Sequence, residues 1–451
     1  MDARSCIQFF SYPRSQPFYC QKRESLFDYS SQKMLRVRLV QLVATIQRRG
    51  RYILLIIIGL VIVLGTIYSI YLGDALRYLP DEADYYALAR NIAHSRFYSL
   101  DSFSPTAFRP PGYPLFLSLF YLLGARVVIL RLLNFIILGI SIYLVYKILG
   151  QGSSTIAAII GASLAALYPV NFYSAGTLYP QTLATSIFLG AIYLLVLNKN
   201  RIHYCVLCGL LAGMLILTIP TFVFISSAIG VWYWLYPGKA WGRGLLVALA
   251  ISALVIGAWT LRNYTQFNTV FFVSTNSGKN LLLGNSENTT PNGGTGIDIS
   301  RYVAQASKLS EIERDRFFRD QAINYILSHK LHSIKLYLLK FLNYFNYRNE
   351  LVTQTEASTM KDILMLISYG PLLLAFIIRL FFSRIFKLSS LEVLFVILYL
   401  GSALLSALFF TRIRFRVPFD FLLIMLVAIF IERIIQSILE QRRPLGQLRY
   451  S

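Results

Sequence analysis

Asp81, Glu82 and Asp84 follow the first long apolar run directly, in Pro80-Asp81-Glu82-Ala83-Asp84-Tyr85-Tyr86. Acids are scarce in this chain, 21 Asp+Glu against 43 Lys+Arg. Three of them within four positions, beside hydrocarbon, point to proton transfer or cation binding. The same residues also suit a plain helix start, with Pro80 ahead, Asp81 as cap and Asp84 completing a capping-box-like turn. On a helix, Asp81 and Asp84 lie near Tyr85 and Leu88 while Glu82 turns aside. That ranks Asp81 first, Asp84 second and Glu82 third as the acting acid.

Arginines recur where the chain leaves apolar runs on the same side. Arg109 stands in Phe108-Arg109-Pro110-Pro111-Gly112-Tyr113-Pro114; Arg126 and Arg131 open another run, and Arg262-Asn263-Tyr264 closes a third. Thr411-Arg412-Ile413-Arg414-Phe415-Arg416-Val417-Pro418 carries three more. The guanidinium fork suits a phosphate or pyrophosphate. Snorkelling to lipid headgroups would satisfy any one of them, and for Arg126 it is the better reading. Acids and arginines together on one extracytoplasmic face suit a polar reaction on a lipid phosphate, with a carboxylate to take a proton and positive charge for the phosphate.

Such residues must be held by membrane helices. The 451 residues are 56% hydrophobic and 14% charged, where soluble domains carry roughly 25% charged residues. Runs of the spanning length of about 20 residues place ten transmembrane helices at approximately 52–72, 126–149, 155–172, 181–198, 203–219, 221–236, 244–261, 362–380, 388–410 and 417–437. The net charge of +22 forms no nucleic-acid stripe. Arg48, Arg49, Arg51, Lys199, Arg201, Lys239, Arg243, Arg384, Lys387, Arg442, Arg443 and Arg449 instead fall on one face, cytoplasmic by the positive-inside rule. The predicted organisation is a basic cytoplasmic tail over 1–51, a transmembrane domain over 52–437 and a cytoplasmic tail over 438–451. Residues 73–125 and 262–361 form extracytoplasmic loops. Gly112 to Gly124 is apolar but too short to span, and His332 to Tyr347 is amphipathic with Lys335 and Lys340, so both predict interfacial helices. Asn276–Gly296, rich in Gly, Asn, Ser and Thr, predicts a loop.

The segment Pro80 to Arg90 resembles the first-loop motif of the GT-C membrane glycosyltransferases, in particular the bacterial aminoarabinose-transferase and protein O-mannosyltransferase-like group. Arg109-Pro110-Pro111-Gly112-Tyr113-Pro114 resembles the end of that loop. Ala258-Trp259-Thr260-Leu261-Arg262-Asn263-Tyr264, with Val273 to Gly278 and Leu283-Gly284-Asn285, is similar to the pattern after a middle span. Arg414-Phe415-Arg416-Val417-Pro418 looks like the late basic loop. The resemblance runs over about 52–437, in order. It implies an all-α polytopic GT-C enzyme of the bacterial inner (cytoplasmic) membrane with an extracytoplasmic site. It further implies inverting transfer from a polyprenyl-phosphate-linked sugar to an envelope lipid, glycan or protein, with Asp81 as base. Arg109, Tyr113, Arg131, Arg262, Asn263, Arg412, Arg414 and Arg416 are the candidate substrate-binding residues. The chain departs from the pattern at Tyr179-Pro180-Gln181, where relatives often carry Glu, and at Arg109, where some carry Lys.

No cofactor is required by the sequence, which leaves room for a divalent cation at the acids. Membrane lipids are expected neighbours and nucleic acid is not. Cys205 and Cys208 have CxxC spacing but lie in an apolar helix without partner ligands, and Cys6 and Cys20 lie in the tail; none reads as a zinc site. His329 and His332 lack an adjacent carboxylate, and His94 reads as a surface residue. Asn263-Tyr264-Thr265 and Asn288-Thr289-Thr290 fit the glycosylation acceptor pattern. No cleavable signal segment is expected. The alternatives are a transporter or flippase of lipid-linked sugars, for which paired broken spans are missing, and a polysaccharide polymerase or ligase.

Overall fold

The computed structural model describes residues 26–77, 80–95, 97–197, 201–235, 242–348 and 359–440. Lys199, Lys239, Arg442, Arg443, Arg449, Cys6 and Cys20 lie outside them. The described residues are helical and carry no strand. In order the helices are α1 (Leu26–Leu72), α2 (Asp81–Ser95), α3 (Gly112–Leu122), α4 (Val127–Gly152), α5 (Thr155–Leu167), α6 (Pro169–Ala175), α7 (Gln181–Leu197), α8 (Ile202–Thr218) and α9 (Phe222–Leu235). They continue with α10 (Gly242–Phe267), α11 (Ser277–Gly284), α12 (Ser300–Gln305), α13 (Glu311–Ser328), α14 (Lys330–Tyr344), α15 (Thr359–Phe381), α16 (Ser390–Leu408) and α17 (Ile413–Glu440). The chain divides into two units between Thr45 and Ile46, and the described part of the first is the N-terminal portion of α1.

This is a multi-pass membrane protein. Each of the ten expected spans coincides with a helix or helix pair. Six (in α1, α4, α10, α15, α16 and α17) are long and apolar enough to cross a bilayer. The expected span at 155–172 is broken: α5 and α6 meet at 59°, where Pro169 begins a new helix. Helices α7, α8 and α9 have 17, 17 and 14 residues, about 26, 26 and 21 Å at 1.5 Å per residue, somewhat less than hydrocarbon thickness. Boundaries shift at several helices, and α17 begins at Ile413, four residues before the expected span, so that Arg414 and Arg416 lie within the helix. Helix α1 begins well before the apolar stretch, and α10 runs on to Phe267, so Arg262 and Asn263 lie within its closing turns.

Helix α17 is the hub of the bundle. Phe421 to Ala428 are buried on every side, because α5, α7, α15 and α16 all pack against this span. At one end of the bundle Glu392 accepts from Arg379 at 2.9 Å and Arg433 at 2.6 Å, which ties α15, α16 and α17 together. The opposite end carries the two loop regions.

Those loops are built, not slack. Helix α3 forms as expected over Gly112–Leu122, where Gly112 is required: a Cβ there would lie 2.8 Å from the Thr218 nitrogen at the end of α8. The Asn276–Gly296 segment, expected as a loop, contains α11, and α13 follows with a capping box from Ser310 and Glu313. Helix α14 forms as expected but is turned the other way. Ser333, Leu336, Lys340 and Tyr344 face inward, while Leu331, Ile334, Leu338 and Leu342 are exposed. Lys340 is therefore a buried cation, not a surface anchor.

Candidate functional site

Helix α2 starts at Asp81, and its first turn holds Asp81, Glu82 and Asp84, where negative charge is favoured by the helix dipole. Asp81 and Asp84 share one face, which receives Arg109 from the end of the same loop. Arg109 Nη2 donates to Asp81 Oδ1 at 2.5 Å and to Asp84 Oδ2 at 2.6 Å, and its Nε reaches Asp84 Oδ2 at 3.0 Å. The guanidinium lies 5.5 Å from the Tyr85 ring centre and 5.0 Å from that of Phe108. On the other side, Arg414 Nη1 from the first turn of α17 donates to Asp81 Oδ2 at 2.5 Å. Arg414 lies over the rings of Tyr179 and Phe415, and its Nε is buried with no hydrogen-bond partner.

The cluster is thus two carboxylates and two guanidinium groups, each 13–24% exposed. Burial pushes the Asp81 carboxyl up, but the charges and hydrogen bonds of Arg414 and Arg109 outweigh it and hold the group below the usual carboxylate value. The beginnings of α2 and α17, 333 residues apart in sequence, supply the two halves. Tyr85 is pushed up to about 12 by burial and packs edge-on against the fully buried Tyr113. The Tyr113 hydroxyl accepts from Asn134 at 3.2 Å, so Tyr113 supports the cluster from beneath.

The other candidates lie elsewhere. Glu82 is fully buried and accepts from the Leu178 nitrogen at 2.8 Å, the Arg77 nitrogen at 2.9 Å and Arg131 at 3.4 Å. Arg131 also donates to the carbonyls of Gly73, Ala75 and Gly176. The two pin the start of the first loop to the bundle and face away from Asp81. Arg262 donates to the carbonyls of Thr106 and Tyr98 and stacks on Trp259. It holds the first loop against α10, and Asn263 beside it is fully buried. Arg412 reaches Thr295 at 3.1 Å. Arg416 is fully buried, paired with Asp420 at 3.0 Å and 3.6 Å from the Tyr369 ring centre. Its Nη1 also holds the carbonyls of Tyr344 and Asn346. Of the three late arginines, Arg414 alone touches the carboxylate cluster.

Three supporting residues were not read as such from sequence. Glu311, first residue of α13, takes hydrogen bonds from Thr106, the Ala107 nitrogen and Thr275, joining both loops. Lys340 donates to the carbonyls of Gly284 and Phe409, both at 2.8 Å, and to Asn285. Tyr179 backs Arg414. The Ser310-x-x-Glu313 spacing is a capping signature that could have marked a helix start at Glu311; nothing local marks the partners of the other two.

No family model and no curated protein matches the chain. Among solved structures it is similar to the archaeal oligosaccharyltransferase AglB from Archaeoglobus fulgidus, in complex with an inhibitory peptide and a dolichol-phosphate, with a TM-score of 0.48 and 16% identity. The match covers 84% of this chain and 50% of that one, so the chain spans about half the length of that protein.

Proposed function

We propose that this protein is a GT-C-type glycosyltransferase that moves a sugar from a polyprenyl-phosphate-linked donor to a lipid, glycan or protein acceptor on the extracytoplasmic face. The observation that carries the reading is Asp81, an acid gripped on both oxygens by arginines from opposite ends of the chain. The sequence resemblance points to the same chemistry. Arg109 is held by both carboxylates, whereas Arg414 makes a single bond to Asp81 and keeps a buried unpartnered Nε. Arg414 is therefore the cation free to exchange its carboxylate for a donor phosphate.

That exchange removes one of the two arginine contacts holding the Asp81 carboxyl down, leaves Arg109 on Oδ1, and exposes Oδ2 as a proton acceptor. Asp81 then takes the acceptor's hydroxyl proton while the oxygen attacks the anomeric carbon. The bond from that carbon to the phosphate oxygen breaks with inversion, and its electron pair leaves with the polyprenyl phosphate, stabilised by Arg414. Purified protein given a radiolabelled polyprenyl-phosphate sugar and a membrane extract as acceptor should release polyprenyl phosphate and label the acceptor. Binding or translocation of the donor without cleavage would instead favour a transporter.

A further inference from the structure

Paired acids at the surface of a membrane transferase suit a divalent cation, and the two carboxylates of α2 do converge on one point. That point is occupied by a side chain. We propose that Arg109 is the resident cation of this site, standing between Asp81 and Asp84 where a divalent metal would otherwise bind, so that the proposed transfer runs without one. The activity arm of the test below rests on the function proposed above; the binding arm does not.

Four observations support this. The Arg109 guanidinium bridges the two acids through one nitrogen, at 2.5 Å to Asp81 Oδ1 and 2.6 Å to Asp84 Oδ2, with a second bond from Nε. It lies over the rings of Tyr85 and Phe108, and its backbone carbonyl accepts from the Tyr98 hydroxyl at 2.8 Å. Pro110 and Pro111 follow directly and stiffen the chain. A metal would have to displace all of this. Second, the charges already balance: Asp81 and Asp84 face Arg109 and Arg414. Adding a divalent ion beside the two guanidinium groups would leave two uncompensated positive charges at a site only 13–24% exposed.

Third, no third ligand is at hand. Glu82, the remaining acid of the cluster, turns to the Leu178 and Arg77 nitrogens, and among the described residues no three His, Cys, Asp or Glu side chains come together to hold a metal. Hard divalent cations favour six or more oxygen ligands, and two carboxylate oxygens already engaged by a guanidinium are a poor start. Fourth, the two Asp81 oxygens are differentiated. Oδ1 is bound to the fixed Arg109, and Oδ2 to the singly bonded Arg414. Arg109 is thus a positioning residue that presents Oδ2 as the working oxygen, and a planar fork does this with a directionality that a spherical ion lacks.

The probe is Mn²⁺ alone, titrated into the full-length purified protein in lipid nanodiscs, with free Mn²⁺ read by electron paramagnetic resonance. Wild type should bind no more Mn²⁺ than Asp84→Asn does. Arg109→Ala should gain one site, with a dissociation constant of about 10⁻³ M or tighter, and lose it again in Arg109→Ala combined with Asp84→Asn. A wild-type site that Asp84→Asn abolishes would overturn the proposal. So would an Arg109→Ala protein that elutes and melts normally and gains no site. Should Arg109→Ala fail to fold, Arg109→Gln takes its place: a gained site supports the proposal and no gain overturns it, while the wild-type comparison decides by itself. In the activity arm, a chelator should leave sugar transfer unchanged. Loss on chelation with recovery on Mn²⁺ would sink the resident-cation proposal and leave the transferase reading standing. Absence of transfer under every condition would sink the transferase reading and leave the Mn²⁺ titration valid.

Discussion

Two arginines hold the Asp81 carboxyl below its usual value, so in the proposed reaction the paired arrangement would be the one before donor binds. Asp81→Asn keeps the size but removes the basicity and one of the two acceptors, since its amide nitrogen cannot accept from an arginine. The variant should express and bind donor normally with turnover lower by about 10²–10⁴, the worth of a positioned general base; single-turnover sugar transfer measures it. If Asp81 only holds the two arginines in place, the variant should lose stability while turnover falls no further than the folded fraction does. The pH dependence has a definite sign. Folded Asp81 holds its proton less tightly than the unfolded residue, so its stabilising contribution is complete above the unfolded value of about 4. It is lost as the pH falls through the lower folded value. Melting temperatures of wild type and Asp81→Asn, compared from neutral pH downward, should differ least at the acidic end. The three late arginines should separate equally clearly. Arg414→Ala should weaken binding of an anionic polyprenyl lipid by about 1.5–3 kcal/mol without unfolding the protein. Arg416→Ala leaves Asp420 buried and unpaired, and should cost about 3–5 kcal/mol of stability. Arg412→Ala should do little to either quantity, and a loss of donor binding confined to it would move the phosphate contact two residues along.

Between the residues and the bundle stands one junction, where the end of α11 touches the chain just before α17. A Cβ on Gly284 would lie 1.8 Å from the Phe409 carbonyl oxygen, a backbone atom that cannot swing away. Gly284→Ala should therefore cost about 1–3 kcal/mol and weaken donor binding through Arg414, with the Asp81–Arg109 pairing untouched. Limited proteolysis of the middle loop and lipid-binding titrations check both halves. Lys340 braces this same junction, and its place could not be read from composition. Leu331, Ile334, Leu338 and Leu342 look like a core-facing stripe, and in water they would be one. Here the stripe is exposed, and of the three lysines of α14 Lys340 turns inward to carbonyls. The expected spans were legible because spanning hydrocarbon demands long apolar runs, which few other roles require. Helix α11 was not, since Gly and Asn at its ends read as loop. Asp81 and Asp84 could be placed on one face by spacing alone. The division of the arginines could not: Arg131 finds Glu82 across 49 positions, a pairing no local pattern announces. Arg416 and Asp420, by contrast, stand four apart on one helix, and that pair was open to reading.

At the scale of the molecule, the loops at 73–125 and 262–361 meet at one end of the bundle, joined by Glu311 and Arg262. The basic residues that flank the spans argue for placing that end outside the cytoplasm. Single cysteines replacing the exposed Ser102 and Ser307, in a background free of other cysteines, should both react with an impermeant maleimide added to intact spheroplasts. Protection of both would reverse the sidedness and remove the extracytoplasmic reaction with it. The bond between Asp81 and Arg414 has a further consequence, this one in time. Its two ends emerge from the ribosome 333 residues apart, and the second lies on α17. A nascent chain that has not reached Arg414 therefore carries the acid without the late cation and the central α17 that complete its surroundings. A product terminated before Arg414 would lack the cation that, in the proposed reaction, takes the departing phosphate.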